Sequence, residues 1–117
     1  MAANVSGIST HILDTSRGRP ATGVSVTLEQ NLDGVWRPLS HRSTDGDGRV
    51  KQMLPETNEM EAGEYRLTFG TGAYFEAMGT AGLYPEVQIT FVVRESGGQY
   101  HIPLLLTANG YSTYRGS

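Results

Sequence analysis

Short runs of alternating apolar and polar residues are the dominant pattern of this 117-residue sequence. Successive side chains of a β-strand point to opposite faces, so such runs predict strands with one buried face. The clearest runs lie at residues 24–28, 65–69 and 87–93. Weaker runs bring the predicted total to about eight strands, and they lie at residues 5–13, 36–42, 49–51, 101–107 and 111–115.

Turn-forming residues separate these runs. Glycine, often beside proline, asparagine or aspartate, occurs at residues 17–20, 31–34, 45–48, 61–63, 96–98 and 109–110. Only residues 73–78 fit a helix, and a helix of that length is too short to connect parallel strands. We therefore predict an all-β sandwich of mostly antiparallel strands, folded as a single domain over residues 1–117.

The edges of such sheets are expected to pair with other copies of the chain. An open sheet leaves unpaired backbone groups along its edge strands, and proteins commonly block these edges with lysine or proline. The predicted strand at residues 87–93 contains neither residue. We therefore expect a homo-oligomer.

Charge and composition narrow the range of partners. The 9 basic and 12 acidic residues give a net charge of −3 and are scattered, so binding to nucleic acid or to an anionic membrane is not expected. The absence of cysteine excludes disulfides, a thiolate nucleophile and a cysteine-ligated zinc. No apolar stretch has the length of a secretory signal or a membrane span, so we expect a soluble, cytoplasmic protein.

Two histidines lie inside predicted strands. The apolar residues of the strand at 5–13 have the parity opposite to His11, and those of the strand at 101–107 have the parity opposite to His101. Both side chains should therefore point away from the core. A single outward histidine is more often a solvated or interface residue than a catalyst. The third histidine, His41, is assigned to the surface.

Arg49 and its turn carry little functional information by themselves. An arginine after a tight turn is typical of a solvated strand start. Asp45, Asp47 and Glu56 match three positions of an EF-hand loop, but the fifth and sixth positions lack the required ligand and glycine. Two histidines without a third ligand do not favour a transition metal. The motifs of serine hydrolases, nucleotide-binding loops and zinc proteases are also missing.

The last residues of the sequence are the most informative. After the apolar residues 102–106, the sequence closes with an aromatic ring, a guanidinium and a hydroxyl in Tyr114, Arg115, Gly116 and Ser117. A frayed terminus does not require these groups. Their combination indicates a ligand site.

Several segments together resemble one enzyme family. They are residues 9–14 (STHILD), 18–21 (GRPA), 47–49 (DGR), 84–87 (YPEV), 100–106 (YHIPLLL) and 111–117 (YSTYRGS). In this order and spacing they resemble the 5-hydroxyisourate hydrolases, the transthyretin-related enzymes of urate breakdown. The resemblance covers essentially the whole chain, and the closing YRGS is its most specific part.

The resemblance implies both a fold and a site. The fold is a transthyretin-like β-sandwich of two four-stranded sheets with one short α-helix, assembled as a homotetramer, a dimer of dimers. Active sites of the family lie in a channel between dimers and use neither a cofactor nor a metal. The matched catalytic positions are His11, Arg49, His101 and Ser117, and the matched substrate-binding positions are Arg49, Tyr114, Arg115, Gly116 and Ser117.

The implied reaction is hydrolysis of the six-membered ring of 5-hydroxyisourate, a cyclic amide, on the route from urate to allantoin. One histidine would take a proton from water and the other would protonate or orient the leaving nitrogen. The assignment of these two roles between His11 and His101 stays open. Arg49 and Arg115 would hold the oxygen-rich substrate and stabilise the oxyanion.

Ser117 would position water or substrate in this scheme, and Tyr114 would narrow the channel. Ala108 and Asn109 depart from the family pattern, which commonly has proline and an aromatic residue there. The departure affects the expected packing of subunits and not the expected chemistry.

Two other functions fit the same fold. A non-catalytic carrier that resembles transthyretin would hold a small aromatic ligand in a wide, apolar channel, whereas the residues above predict a narrow, polar one. A structural sandwich could instead bind a protein partner through an exposed edge. That hypothesis leaves the closing cluster of polar residues without a role.

Overall fold

Two β-sheets pack against each other in the computed structural model, which describes residues 7–95 and 98–117. The start of the first predicted strand, at residues 5–6, lies outside the described residues, as does most of the predicted turn at residues 96–98. Apolar side chains from both sheets form one core cluster. The predicted β-sandwich with one short helix is confirmed.

The described residues form nine strands and one helix. The helix, α1 (Thr71–Ala77), begins two residues before the predicted one. The strands are β1 (Gly7–Asp14), β2 (Arg19–Pro20), β3 (Ser25–Leu32), β4 (Val35–Ser43), β5 (Arg49–Val50), β6 (Gly63–Phe69), β7 (Val87–Val93), β8 (Gln99–Thr107) and β9 (Gly110–Thr113).

One sheet has the order β4-β3-β6-β7, with four strands as predicted. The other sheet, here the β1 sheet, has the order β2-β1-β8-β9, and β5 also pairs with β1. This sheet has five strands where four were predicted. The additional strand arises because β2 and β5, of two residues each, pair with successive stretches of β1 and together fill one edge.

The central pair of the β1 sheet runs parallel, from Gly7 opposite Gln99 to Asp14 opposite Leu106. All other strand pairs of the described residues are antiparallel, so the prediction of mostly antiparallel strands is confirmed with this one exception. Parallel neighbours need a long connection. Here the connection is the entire second sheet together with α1, since both lie between β1 and β8 in the chain.

The core lies between the sheets and follows the predicted alternation. Every second residue of the central strands is buried, and those that are 0–1 % exposed include Ile8, Ile12, Val26, Leu28, Tyr65, Leu67, Phe69, Leu104 and Leu106. The residues between them face outward. Burying this apolar surface is the main force that holds the sheets together, and it leaves the outer face of the β1 sheet available for polar groups.

Among residues 7–95 and 98–117, no helix has the length and apolar character needed to cross a membrane.

A buried carboxylate fixes the end of β1 against the helix. Asp14 is 0 % exposed, and its carboxylate accepts hydrogen bonds from the Tyr74 hydroxyl at 2.8 Å and the Ser16 hydroxyl at 2.7 Å. The backbone N–H of Arg17 donates a third at 3.2 Å. Burial acts to raise the pKa of Asp14, but the hydrogen bonds from Ser16, Tyr74 and Arg17 outweigh it and lower that pKa.

Replacing this carboxylate should destabilise the fold. We expect Asp14→Asn to lower the free energy of unfolding by about 1–3 kcal/mol near pH 7. The NH2 group of asparagine is a hydrogen-bond donor, and it would face the groups that now donate to the carboxylate. A lowered pKa stabilises the fold only while the carboxylate is ionised, so the wild-type advantage should disappear as the pH falls below about 4. Urea unfolding followed by the fluorescence of Trp36 measures both effects. Asp47→Asn, at an exposed turn position, is the control, and equal stability of Asp14→Asn and wild type near pH 7 would contradict the prediction.

Candidate active site

The outer face of the β1 sheet carries the two histidines of the predicted site. His11 lies between buried Thr10 and buried Ile12 and is itself half-buried. His101 is half-buried beside Ile102, which is 5 % exposed. This burial pattern agrees with the prediction that both imidazoles point away from the core.

The register of the parallel pair brings the two histidines together. His101 lies opposite Ser9, and His11 lies opposite Pro103. The histidines are therefore offset by two residues on adjacent strands. With about 4.8 Å between strands and about 3.3 Å per residue, their backbones lie roughly 8 Å apart on the same face, within reach of one small substrate.

Arg49 reaches this face through β5, where it pairs directly with His11. The turn before it is built by Asp45, whose Oδ1 accepts hydrogen bonds from the backbone N–H groups of Asp47 at 2.9 Å and Arg49 at 3.0 Å. The backbone hydrogen bond from Arg49 lowers the pKa of Asp45. Gly48 completes the turn with φ 73°, a conformation that favours glycine. The turn thus places Arg49 beside His11 on the same face of the sheet.

His101 is held by a neighbour that the sequence did not identify. Its Nδ1 lies 2.8 Å from the hydroxyl oxygen of Ser9. Burial lowers the pKa of His101, and the positive charges of Arg49 and His11 lower it further. The ring is therefore neutral at neutral pH, which is the form needed by a general base or a neutral hydrogen-bond donor.

A shallow pocket of about 150 Å³ opens at this point of the sheet. Its lining residues are Ser9, Thr10, Arg49, Val50, Lys51 and His101. Arg49 and Lys51 make its rim positive, so it suits an oxygen-rich, electron-rich ligand or a developing oxyanion.

Gly116 joins this cluster through its backbone. Its N–H donates to the carbonyl oxygen of His101 at 2.8 Å, which closes an isolated antiparallel bridge after β9. A side chain at this position has no room, since a Cβ would overlap Cδ2 of His101 and approach Cγ of Pro103 to 3.3 Å. Glycine therefore lets the closing segment lie directly against the imidazole.

Of the other closing residues, Arg115 contacts the residues directly before His101, and Tyr114 and Ser117 are exposed in the single chain. The guanidinium of Arg115 stacks over the ring of Tyr100 at 4.3 Å, and its Nη2 donates to the carbonyl oxygen of Gln99 at 3.3 Å. Tyr114 is 57 % exposed, and Ser117 is exposed as well. The structure therefore brings together His11, Arg49, His101 and Gly116 of the predicted site. The roles predicted for Tyr114, Arg115 and Ser117 stay predictions.

Sequence reasoning missed Ser9 and Lys51 as lining residues. Ser9 has the same strand parity as His11, so its outward direction was available from the alternation. Its partner was not, because the register between β1 and β8 joins residues 92 positions apart. Lys51 follows β5 directly and belongs to the same pocket.

Comparisons with known proteins point to one family. Residues 8–116 match the family model described as the HIUase/Transthyretin family. A 5-hydroxyisourate hydrolase from Salmonella typhi is 45 % identical over 117 residues, which cover 100 % of this chain and 85 % of that protein.

Solved structures agree with this match. The Klebsiella pneumoniae 5-hydroxyisourate hydrolase superposes with a TM-score of 0.82 at 40 % identity, covering 95 % of this chain and 99 % of that one. Transthyretin from Sparus aurata superposes with a TM-score of 0.86 at 29 % identity, covering 94 % and 96 % respectively. The backbone therefore fits both proteins about equally well, while the sequence is more similar to the hydrolases.

Proposed function

Because the chain belongs to the HIUase/Transthyretin family, we propose that it is a 5-hydroxyisourate hydrolase. It opens the cyclic amide of 5-hydroxyisourate to give 2-oxo-4-hydroxy-4-carboxy-5-ureidoimidazoline, a step in urate catabolism towards allantoin. The observation that carries this function is the cluster of His11, Arg49 and His101 on the outer face of the β1 sheet.

The reaction needs a base, an oxyanion binder and a proton for the leaving nitrogen. Water loses a proton to one neutral histidine as its oxygen bonds to the ring carbonyl carbon. The carbonyl oxygen becomes an oxyanion, and the positive charge of Arg49 stabilises it. When the carbon–nitrogen bond breaks, the nitrogen takes a proton from the site and becomes part of the ureido group. The new carboxylic acid then loses its proton to solvent, so one water is consumed for each ring opened.

The carbonyl oxygens of the substrate match the positive charge of the pocket. 5-Hydroxyisourate is rich in carbonyl oxygens, and Arg49 offers several N–H donors in a fixed plane. The protein's own side chains supply all the groups that this hydrolysis requires, so we propose that it uses neither a cofactor nor a metal. Tyr114, Arg115, Gly116 and Ser117 would form the substrate-binding wall next to His101, with Ser117 also directing the water.

We also propose that the working form is a homotetramer, a dimer of dimers. Strands β7 and β9 are edge strands of the two sheets among the described residues. Their exposed apolar side chains include Val92, 43 % exposed, and Tyr111, 44 % exposed. Edge pairing between copies would satisfy the free backbone groups and cover these side chains. Two β1 sheets that face each other would then enclose the polar pocket in a channel.

A carrier function would require a different lining of the same channel. A carrier of a small aromatic ligand needs an apolar wall with few polar groups. Here the outer face of the β1 sheet presents two imidazoles and a guanidinium. This chemistry favours hydrolysis over simple storage of a ligand.

A spectrophotometric assay tests the function directly. Freshly generated 5-hydroxyisourate should lose its ultraviolet absorbance faster with catalytic amounts of the protein than in buffer alone, and at a rate proportional to protein concentration. Calorimetric titration with thyroxine provides the second arm. Tight thyroxine binding without any acceleration of decay would replace the hydrolase with the carrier.

A further inference from the structure

The imidazole of His101 is contacted on both of its sides. On one side Nδ1 lies 2.8 Å from Oγ of Ser9. On the other side Cδ2 faces the backbone of Gly116, where no Cβ could fit. Because Nδ1 and Cδ2 are both bonded to Cγ, contacts at these two atoms fix the rotation of the ring. The remaining nitrogen, Nε2, then lies on the ring edge farther from Cγ and therefore farther from the sheet.

The contact with Ser9 also bears on which nitrogen carries the proton. A hydroxyl has one proton to donate, and a neutral imidazole has one nitrogen that can accept it. Within residues 7–95 and 98–117, the side chain of Ser9 has one hydrogen-bond partner, and that partner is Nδ1 of His101. Donation from Ser9 uses the lone pair of Nδ1, which leaves the ring proton on Nε2.

We propose that Ser9 is a positioning residue that donates a hydrogen bond to Nδ1 of His101 and holds the neutral ring with its N–H on Nε2, facing the substrate. His101 is then a hydrogen-bond donor to the substrate carbonyl and not the base that activates water. The catalytic part of this proposal rests on the proposed hydrolase function, whereas the tautomer is a property of the free protein.

The environment of His101 fits this role. Nδ1 can accept the hydrogen bond from Ser9 only in the neutral ring, and burial together with the charge of Arg49 lowers the pKa of the ring. A neutral imidazole releases its remaining proton only at very high pH, so His101 binds the oxyanion without giving up a proton. His11 then performs both proton transfers: it takes the proton of the attacking water and returns it to the leaving nitrogen. Each catalytic cycle ends with both histidines neutral.

Nitrogen-15 NMR on the uniformly labelled wild-type protein tests the tautomer without substrate. We expect the long-range proton–nitrogen spectrum at mildly alkaline pH to show a protonated Nε2 and an unprotonated Nδ1 for one histidine. The loss of that pattern in His101→Asn identifies it. A proton on Nδ1 of His101 would overturn the proposal. In Ser9→Ala the two nitrogen shifts should move towards each other, because the ring then exchanges between tautomers.

Kinetics test the positioning role. Ser9→Ala should lower kcat about tenfold, the cost of one lost orienting hydrogen bond, with KM within about twofold of wild type. Ser9→Thr keeps the hydroxyl in a residue that strands favour, and it should restore kcat to within about twofold. Ser43→Ala, an exposed serine of β4, is the matched control and should behave as wild type. Unchanged kcat in Ser9→Ala, or a threonine variant as slow as the alanine variant, would overturn the proposal.

The contact on the other side of the ring gives an independent variant. Gly116→Ala places a methyl group where Cδ2 of His101 lies, so the ring or the closing segment must move. We expect kcat to fall at least tenfold with the melting temperature nearly unchanged. Gly110→Ala is the control, since its Cβ would meet only Oγ1 of Thr107 at 3.7 Å, an ordinary contact. Wild-type turnover in Gly116→Ala would show that the ring needs no support on that side and would overturn the two-sided placement.

The two levels of the proposal fail separately. If the wild-type protein does not accelerate the decay of 5-hydroxyisourate, the hydrolase function fails, and the NMR result still decides how Ser9 and His101 interact. If wild type is active but Ser9→Ala matches it, the function stands and the positioning role fails.

Discussion

Replacing His101 with asparagine should lower kcat/KM for 5-hydroxyisourate by a factor of about 10² to 10⁴. In the proposed mechanism the imidazole donates a hydrogen bond to the reacting carbonyl, and asparagine at this position cannot reproduce the reach or the fixed ring orientation. The change should leave the fold intact, because His101 lies half-buried on the outer face and the backbone hydrogen bond that its carbonyl oxygen accepts from Gly116 remains. Initial rates of absorbance loss, with the spontaneous rate subtracted, measure the effect.

His41→Asn is the matched control for this variant. His41 lies exposed on β4, on the other sheet, where its ring contacts the hydroxyls of Thr27 and Ser25. Its surface position agrees with the sequence prediction, and its loss should leave kcat/KM within about twofold of wild type. Activity of His101→Asn equal to that of His41→Asn would remove His101 from the catalytic site.

The local parts of the fold were predictable because side-chain alternation is a local signal. The strand at residues 87–93 has the same bounds in the structure, Val87–Val93, and the outward direction of His11 and His101 follows from the period of two. Among the strands of the described residues, the one missed outright was β2, whose Arg19 and Pro20 look like part of a turn. Two residues are too few to show a period.

The pairing of strands was less predictable because it depends on distant parts of the chain. Nothing in the sequence near Ser9 indicates that it lies opposite His101, and no periodicity shows that β1 and β8 run parallel. The partnership of His11 with Arg49 likewise exists only after β5 pairs with β1. Each of these residues looked unremarkable alone, and the resemblance to a known family grouped them before the fold was available.

Arg115 shows that a resemblance to a family can imply a role for a residue that the single chain does not display. The resemblance implies contact with substrate, whereas in the single chain the guanidinium lies over Tyr100 and bonds to Gln99. A cation–π contact of this kind contributes on the order of 0.5–1 kcal/mol at an exposed site, an amount that substrate binding could offset. The position therefore permits two roles, anchoring of the closing segment and binding of substrate.

Arg49→Gln should lower kcat/KM by a factor of about 10² to 10³ near pH 7, because the oxyanion loses its nearest positive charge. The variant should also change the pH profile. Arg49 lowers the pKa of His101 by disfavouring its protonated form, so removal of the charge raises that pKa. Protonation of His101 removes the acceptor for the hydrogen bond from Ser9, so the acid limb of kcat/KM, which reports groups of the free enzyme, should move to higher pH.

Arg49→Lys separates the two contributions of the guanidinium. Lysine keeps the positive charge but has no planar pair of donors, so turnover should fall while the acid limb stays near its wild-type position. Arg37→Gln, an exposed arginine of β4, is the control for loss of charge alone and should leave both the rate and the profile unchanged. The decisive comparison is the acid limb in the three variants, measured as kcat/KM with the spontaneous decay subtracted at each pH. If Arg49→Gln loses activity with its acid limb unmoved, Arg49 acts on the substrate alone, and the electrostatic coupling between Arg49 and His101 has no catalytic consequence.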